Sequence, residues 1–113
     1  MVDESPLFTV TIATYNRAHL LPRAVKSVLN QTYHNFEVVI VDDGSTDKTE
    51  EVCRSFGDQR IVYHKHDHNK GVLAARNTAL DLAKGGYVAI LDDDDNMLPE
   101  ALGTAMSKFE GLS

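Results

Sequence analysis

Two short runs, Val38 to Val41 ("VVIV") and Tyr87 to Leu91 ("YVAIL"), are continuously apolar. A strand with one wet face alternates apolar and polar residues, so these runs suit strands buried on both faces of a parallel sheet. Such a sheet needs helices on both sides, and helix-like stretches separate the apolar runs. The chain reads β-α-β-α-β-α-β-α, which predicts an α/β, Rossmann-like, doubly wound and mainly parallel sheet of about four strands. The expected strands are Phe8 to Thr14, Glu37 to Val41, Ile61 to His64 and Tyr87 to Leu91. The first helix is expected from Arg17 to Asn30, with Pro22 near its start and Leu21, Val25, Val28 and Leu29 as its buried stripe. A second, Lys48 to Phe56, has Asp47 and Glu50 at capping-box spacing and turns Val52, Cys53 and Phe56 inward. The third, Val72 to Lys84, is expected to stop in a left-handed cap at Gly85-Gly86. The fourth begins near Pro99, with Leu102, Ala105, Met106 and Phe109 along one side.

At 113 residues, 42% hydrophobic and 25% charged, the chain fits one domain. Its net charge of −6 repels polyanions at long range, which argues against nucleic acid or a membrane surface as a general partner. An anionic ligand therefore needs a local mediator. Cys53 is the only cysteine, so an intramolecular disulfide is impossible, and its apolar setting predicts a buried thiol. The opening "MVDESP" has no secretory pattern, and no run approaches the roughly 18 apolar residues of a membrane span. A cytoplasmic setting is expected, with membrane association of a longer chain left open.

Each expected strand empties into a polar cluster: Thr14 to Asn16, Asp42 to Ser45, His64 to Gly71, and Asp92 to Asn96. Ligands of open α/β sheets bind at that edge, where strand order reverses. An order of 3-2-1-4, taken by analogy, sets Tyr15 and Asn16 beside the run Asp92-Asp93-Asp94-Asp95. Carboxylates held together raise one another's pKa or require a counter-ion. A hard divalent cation, Mg²⁺ or Mn²⁺, relieves that repulsion and bridges to substrate phosphates. The Asp42-Asp43 pair can accept N–H groups from a base or sugar hydroxyls, although Asp-Gly-Ser is also ordinary turn chemistry. Tyr15 offers a ring for base stacking, and Arg17 near a helix start can meet phosphate. His64, His66 and His68 are read as a solvated loop rather than a zinc site. There is no glycine-rich phosphate loop and no nucleophile elbow around Ser45.

Taken together, "VTIATYNRAHLLPRAVKSVLNQTYHNFEVVIVDDGSTDKT", "NKGVLAARNTALDLAKGGYVAILDDDD" and "MLPEAL" closely resemble the N-terminal half of family 2 glycosyltransferases with the GT-A fold. The resemblance runs from about Pro6 to Leu102. It implies a nucleotide-sugar donor, often UDP-linked, a Mn²⁺ or Mg²⁺ cofactor, and transfer with inversion at the anomeric carbon. By position, Tyr15 would stack near the base, and Thr14 and Arg17 would line the donor pocket. Asp43 would pair with base or ribose, with Asp42 beside it. Asp92, Asp93 and Asp94 match the D-x-D motif: Asp94 is expected on the metal, with Asp92 and Asp93 serving metal, ribose or water. Arg76 and Asn77 match the A-R-N segment, where an ion pair or cap explains them almost as well.

Family members continue beyond the D-x-D motif into a half that carries the acceptor site and the general base. Residues 1–113 are accordingly expected to be a single donor-binding domain that does not transfer sugar efficiently alone, its acceptor unassigned. Glu100 and Glu110, after Asn96, match no catalytic position. Apolar surface and a strand edge beside the fourth strand predict a homo-oligomer. Two rivals stand beside this reading: a receiver-like, Mg²⁺-binding signalling domain and a metal-dependent sugar nucleotidyltransferase. Against the first, the chain shows only four strands, lacks a late strand ending in Lys and has its acid pair after the second strand; against the second, "ATYNRA" is not the glycine- and arginine-rich loop such enzymes carry.

Overall fold

A computed structural model describes residues 8–110, with the side chains of Phe109 and Glu110 outside the description. The elements run β1 (Phe8–Thr14), α1 (Leu21–Leu29), β2 (Phe36–Asp42), α2 (Thr49–Ser55), β3 (Ile61–Lys65), α3 (Val72–Leu82), β4 (Tyr87–Ile90) and α4 (Ala101–Glu110). The sheet order is β3-β2-β1-β4, the expected 3-2-1-4, and every pairing is parallel. β1 and β2 pair over their full lengths, from Phe8 opposite Phe36 to Thr14 opposite Asp42. Both strands are therefore level at the carboxyl edge, where the polar clusters begin.

The alternation of side chains divides the interior into two layers. Phe8, Val10, Ile12, Val38 and Ile40 pack with Leu21, Val25 and Val28 of α1, Cys53 of α2 and Leu102 of α4. On the other side Val39 and Val41 pack with Ala75 and Ala79 of α3, whose small side chains let the helix lie close to the sheet. Each fully buried Val or Ile contributes about 1.5–3 kcal/mol relative to exposure. Burial also pushes the Cys53 thiol up to about 12, so it is an inert core group.

Four local expectations change. "YVAIL" is buried on one face only: Ala89 and Leu91 join the α1 layer, while Val88 and Ile90 are 43% and 60% exposed. Their side shares the register of Thr9 and Thr11, and α3 packs over β1 and β2 without covering β4. α1 starts at Leu21 rather than Arg17, because residues 17–20 form a turn in which Leu20 and Leu21 both donate to the Arg17 carbonyl. The capping box is half made: Asp47 accepts from the Thr49 N–H at 3.0 Å, whereas Glu50 pairs with Arg54 and Lys65. No left-handed cap ends α3, since Ala83 is extended and positive-φ glycines occur only at 44, 57 and 71 among the described residues. Gly85 is needed for close approach instead, because a Cβ there would sit 2.7 Å from the backbone of Phe8 and Thr9. The turn is fixed by Lys84 N–H donating to Glu37 and Gly85 N–H donating to Thr9.

Candidate functional site

The carboxyl ends of β1, β2 and β4, with the first turns of α3, enclose a cleft of about 490 Å³. That size suits a small-molecule ligand. Thr14, Tyr15, Arg17, Asp43, Asp92, Asp93 and Asp94 all line it. Thr14 joins its two acidic walls: its carbonyl accepts the Asp43 N–H at 2.9 Å, and its hydroxyl donates to Asp93 Oδ2 at 2.9 Å. The next turn is set by Asn16 at φ 52°, a left-handed conformation that asparagine tolerates. Its Oδ1 accepts from the Thr46 N–H, and its own N–H donates to Ser45 Oγ. Asn16, expected beside the aspartate run, is thus turned toward the β2 loop, and Tyr15 alone of the two reaches the cleft.

In the β2 loop the carboxylates are built into the wall. Asp42 is fully buried, with Oδ1 accepting the Ser45 N–H at 2.8 Å and Oδ2 accepting the Tyr63 hydroxyl at 2.6 Å. Both its oxygens serve the fold, and it does not line the cleft. Burial raises the Tyr63 phenol, and the Asp42 contact raises it further. Asp43 does line the cleft and is 4% exposed. Its Oδ1 meets His66 Nδ1 at 2.8 Å and the Lys70 N–H at 2.9 Å, and its Oδ2 accepts the Gly71 N–H at 2.9 Å. Burial pushes the Asp43 carboxyl up, but His66 and the two backbone N–H groups outweigh it and hold it below its ordinary value. Gly44, at φ 82°, lets the loop pass His68, whose carbonyl carbon would lie 2.8 Å from an added Cβ.

In the β4 loop the backbone is anchored and the side chains are more open. Arg23 donates to the Asp94 carbonyl at 2.7 Å, and buried Gln31 donates to the Leu98 carbonyl at 2.6 Å. Asp93 is buried against Thr14 and Arg17, the latter at 3.1 Å. Asp92 and Asp94 side chains are 64% and 55% exposed, touched by Arg76 at 3.7 Å and Arg17 at 3.5 Å. Asp95 donates its N–H to the Asp92 carbonyl and lies outside the cleft lining. The repulsion within the run is therefore relieved in part by arginines.

Among the described residues no three His, Cys, Asp or Glu side chains converge on a ready ligand set. The donor chemistry nonetheless fits a hard divalent ion, because Mg²⁺ is commonly held by one or two carboxylates with the remaining positions filled by water and phosphate. Within the β4 run, Asp92 and Asp94 are the carboxylates with exposed lone pairs to offer. The three-histidine zinc alternative finds no support, since His64 and His68 are exposed while His66 is buried between Asp43 and Thr78. The solvated-loop expectation is corrected at His66. The local signal for its placement is the alternation Val62, His64, His66, masked by polar composition, which carries the α3-facing side of β3 past the strand end. Arg76 lines the cleft, whereas its neighbour Asn77 is exposed and does not.

The sequence model of Glycosyl transferase family 2 matches residues 9–112. The Escherichia coli UDP-Glc:alpha-D-GlcNAc-diphosphoundecaprenol beta-1,3-glucosyltransferase WfaP is 45% identical over 79% of this chain and 36% of its own length. Residues 1-349 of S. aureus TarS, solved in complex with UDP-GlcNAc, superpose with a TM-score of 0.85 at 30% identity, covering 92% of this chain and 31% of that one. A Pyrobaculum calidifontis mannosyltransferase, solved with GDP-Man and Mn²⁺, gives a TM-score of 0.75 at 33% identity over 81% of this chain and 28% of its own. The chain spans less than half the length of these relatives. Matched over nearly all its residues, the chain belongs to glycosyl transferase family 2.

Proposed function

We propose that the cleft binds the nucleoside diphosphate part of a sugar donor, UDP-linked by preference, for inverting glycosyl transfer. The observation that carries this reading is the convergence of Tyr15, Asp43, Arg17 and the Asp92 to Asp94 run on one cleft bridged by Thr14. Tyr15 supplies a stacking ring, and the remaining lone pair of Asp43 accepts an N–H of the base or a ribose hydroxyl. Arg17 meets phosphate. Asp93, held by Thr14 and Arg17, keeps the arginine in place rather than offering free oxygens. Asp92 and Asp94 hold Mn²⁺ or Mg²⁺, which when bound neutralises charge on the leaving diphosphate. The relatives solved with UDP-GlcNAc and with GDP-Man and Mn²⁺ support this assignment. Family membership displaces the receiver-domain and nucleotidyltransferase readings.

The proposal assigns donor binding to residues 1–113 and the activation of an acceptor hydroxyl to none of them. Self-association through the β4 edge, where Val88 and Ile90 are exposed, belongs to the same reading. Calorimetric titration of UDP with Mn²⁺, with Mg²⁺ and with chelator tests the core of it. Binding should require the metal and vanish in Asp94→Ala; equal affinity in chelator, or none at all, overturns the reading. Among the described residues no helix is long and apolar enough to cross a membrane.

A further inference from the structure

His66 is the buried titratable group that donor binding, as assigned above, leaves unused. It follows the last residue of β3, and its N–H donates to the Asp42 carbonyl at 2.8 Å, continuing the strand pairing one residue further. The ring is sealed from solvent, its side chain 3% exposed, and both nitrogens are occupied. Nδ1 lies 2.8 Å from Asp43 Oδ1, and Nε2 lies 2.9 Å from the hydroxyl of Thr78 on α3. An ionised carboxylate has no hydrogen to give, so Nδ1 carries the hydrogen of the Asp43 contact. The Thr78 oxygen also lies 3.0 Å from the Ala74 carbonyl of its own helix, and its single hydrogen goes either to that carbonyl or to Nε2. A continuous hydrogen-bonded line thus runs from α3 through the ring to a carboxylate in the cleft wall.

We infer that His66, tethered by Thr78, is a positioning residue that seats the Asp43 carboxylate for the donor. With His66 and the Lys70 N–H on Oδ1, that oxygen is committed; Oδ2 has only the Gly71 N–H and keeps a lone pair for a ligand donor group. Without the ring, the carboxylate can rotate about its last bond and exchange the roles of its oxygens. Preorganised acceptors bind more tightly because less freedom is lost on binding. This inference rests on the proposed donor reading, but the seat itself can be measured without ligand.

The test compares His66→Ala with His66→Asn, whose amide nitrogen stands near Nδ1 and can still donate to Asp43, although neither variant reaches Thr78. UDP titrated with Mn²⁺ should bind roughly tenfold more weakly to His66→Ala, the loss of one hydrogen bond to a charged group, and within about threefold of the parent in His66→Asn. Both variants should melt lower, so stability and affinity part company. The double variant Asp43→Ala/His66→Ala should bind no more weakly than Asp43→Ala alone, because His66 acts through Asp43. Additive losses, or an Asn variant as weak as Ala, overturn the inference. Amide hydrogen exchange at Lys70 and Gly71 decides it in ligand-free protein. Faster exchange there in His66→Ala, relative to the Asp43 amide, with restoration in His66→Asn, supports the seat; no selective change overturns it. If UDP fails to bind the parent, the donor reading falls while the exchange result still stands. Should His66→Ala not fold, Thr78→Val should weaken UDP binding roughly threefold by releasing the ring, and unchanged affinity with unchanged exchange overturns the tether.

Discussion

The acidic loops after β2 and after β4 lie at one edge of the sheet and use the same residue type in opposite ways. In the β2 loop the backbone turns around its carboxylates: Asp42 and Asp43 take N–H groups from Ser45, Lys70 and Gly71 and a hydroxyl from Tyr63. In the β4 loop the backbone is held from outside by Arg23 and Gln31, and two of the carboxylates are left facing out with only arginines nearby. The contrast teaches that charge count does not say what a carboxylate is for; the number of lone pairs already committed does. Asp42, with both oxygens committed away from the cleft, is masonry; Asp43 is seated but keeps one lone pair toward the cleft; and a carboxylate opposed only by a mobile guanidinium can change partners.

The largest expected effect lies on the committed side. Asp42→Ala leaves the Ser45 N–H and the Tyr63 hydroxyl buried without their acceptor, which should cost about 3 kcal/mol and lower the melting temperature by roughly 10–20 °C. A shift under about 3 °C would erase the distinction between the loops.

An acid titration of stability sharpens it further. The Asp43 carboxyl is held below its ordinary value of 3.8. A carboxyl whose folded pKa lies below its unfolded one adds stability that is complete above the unfolded value and disappears as pH falls through the folded value. Stability should therefore drop as pH goes below about 4, and Asp43→Asn should show a shallower acid limb in denaturant unfolding. An identical acid limb in the two proteins would count against the ionised, committed carboxylate.

The smallest expected effect is on the open side. Asp92→Ala and Asp94→Ala each break only an exposed ion pair, so thermal unfolding without ligand should move by less than about 0.5 kcal/mol in equivalent stability. A large loss in either would mean that the β4 carboxylates are structural as well.

Much of the architecture was legible because a parallel sheet writes itself in apolar runs: β1 matches its expected bounds, β2 extends one residue beyond them at each end, and the strand order follows the analogy. β4 was misjudged as doubly buried because local hydrophobicity records a need for cover without saying what lies above, and α3 lies over its neighbours instead. The gathering of Thr14, Tyr15, Arg17, Asp43 and the β4 aspartates followed from the sheet edge. The commitment of Asp42 and the burial of His66 did not, since both depend on partners far along the chain: Tyr63 is 21 residues from Asp42, and Asp43 is 23 from His66. In "HKHDHNKG" the polar composition concealed a strand alternation that continues one position past the last paired residue.

The bridge from Thr14 to Asp93 spans 79 positions of sequence, which gives the cleft a place in time as well as in space. β1, β2 and β3 are adjacent in the sheet and all emerge from a ribosome before β4, so a three-stranded sheet with a finished β2 loop can assemble first. Distant contacts carry the larger closure cost and tend to form late. The docking of β4 then delivers strand and aspartates together beside Thr14. A nascent chain would acquire its ligand affinity in one late step, so that affinity reports on the completion of the sheet.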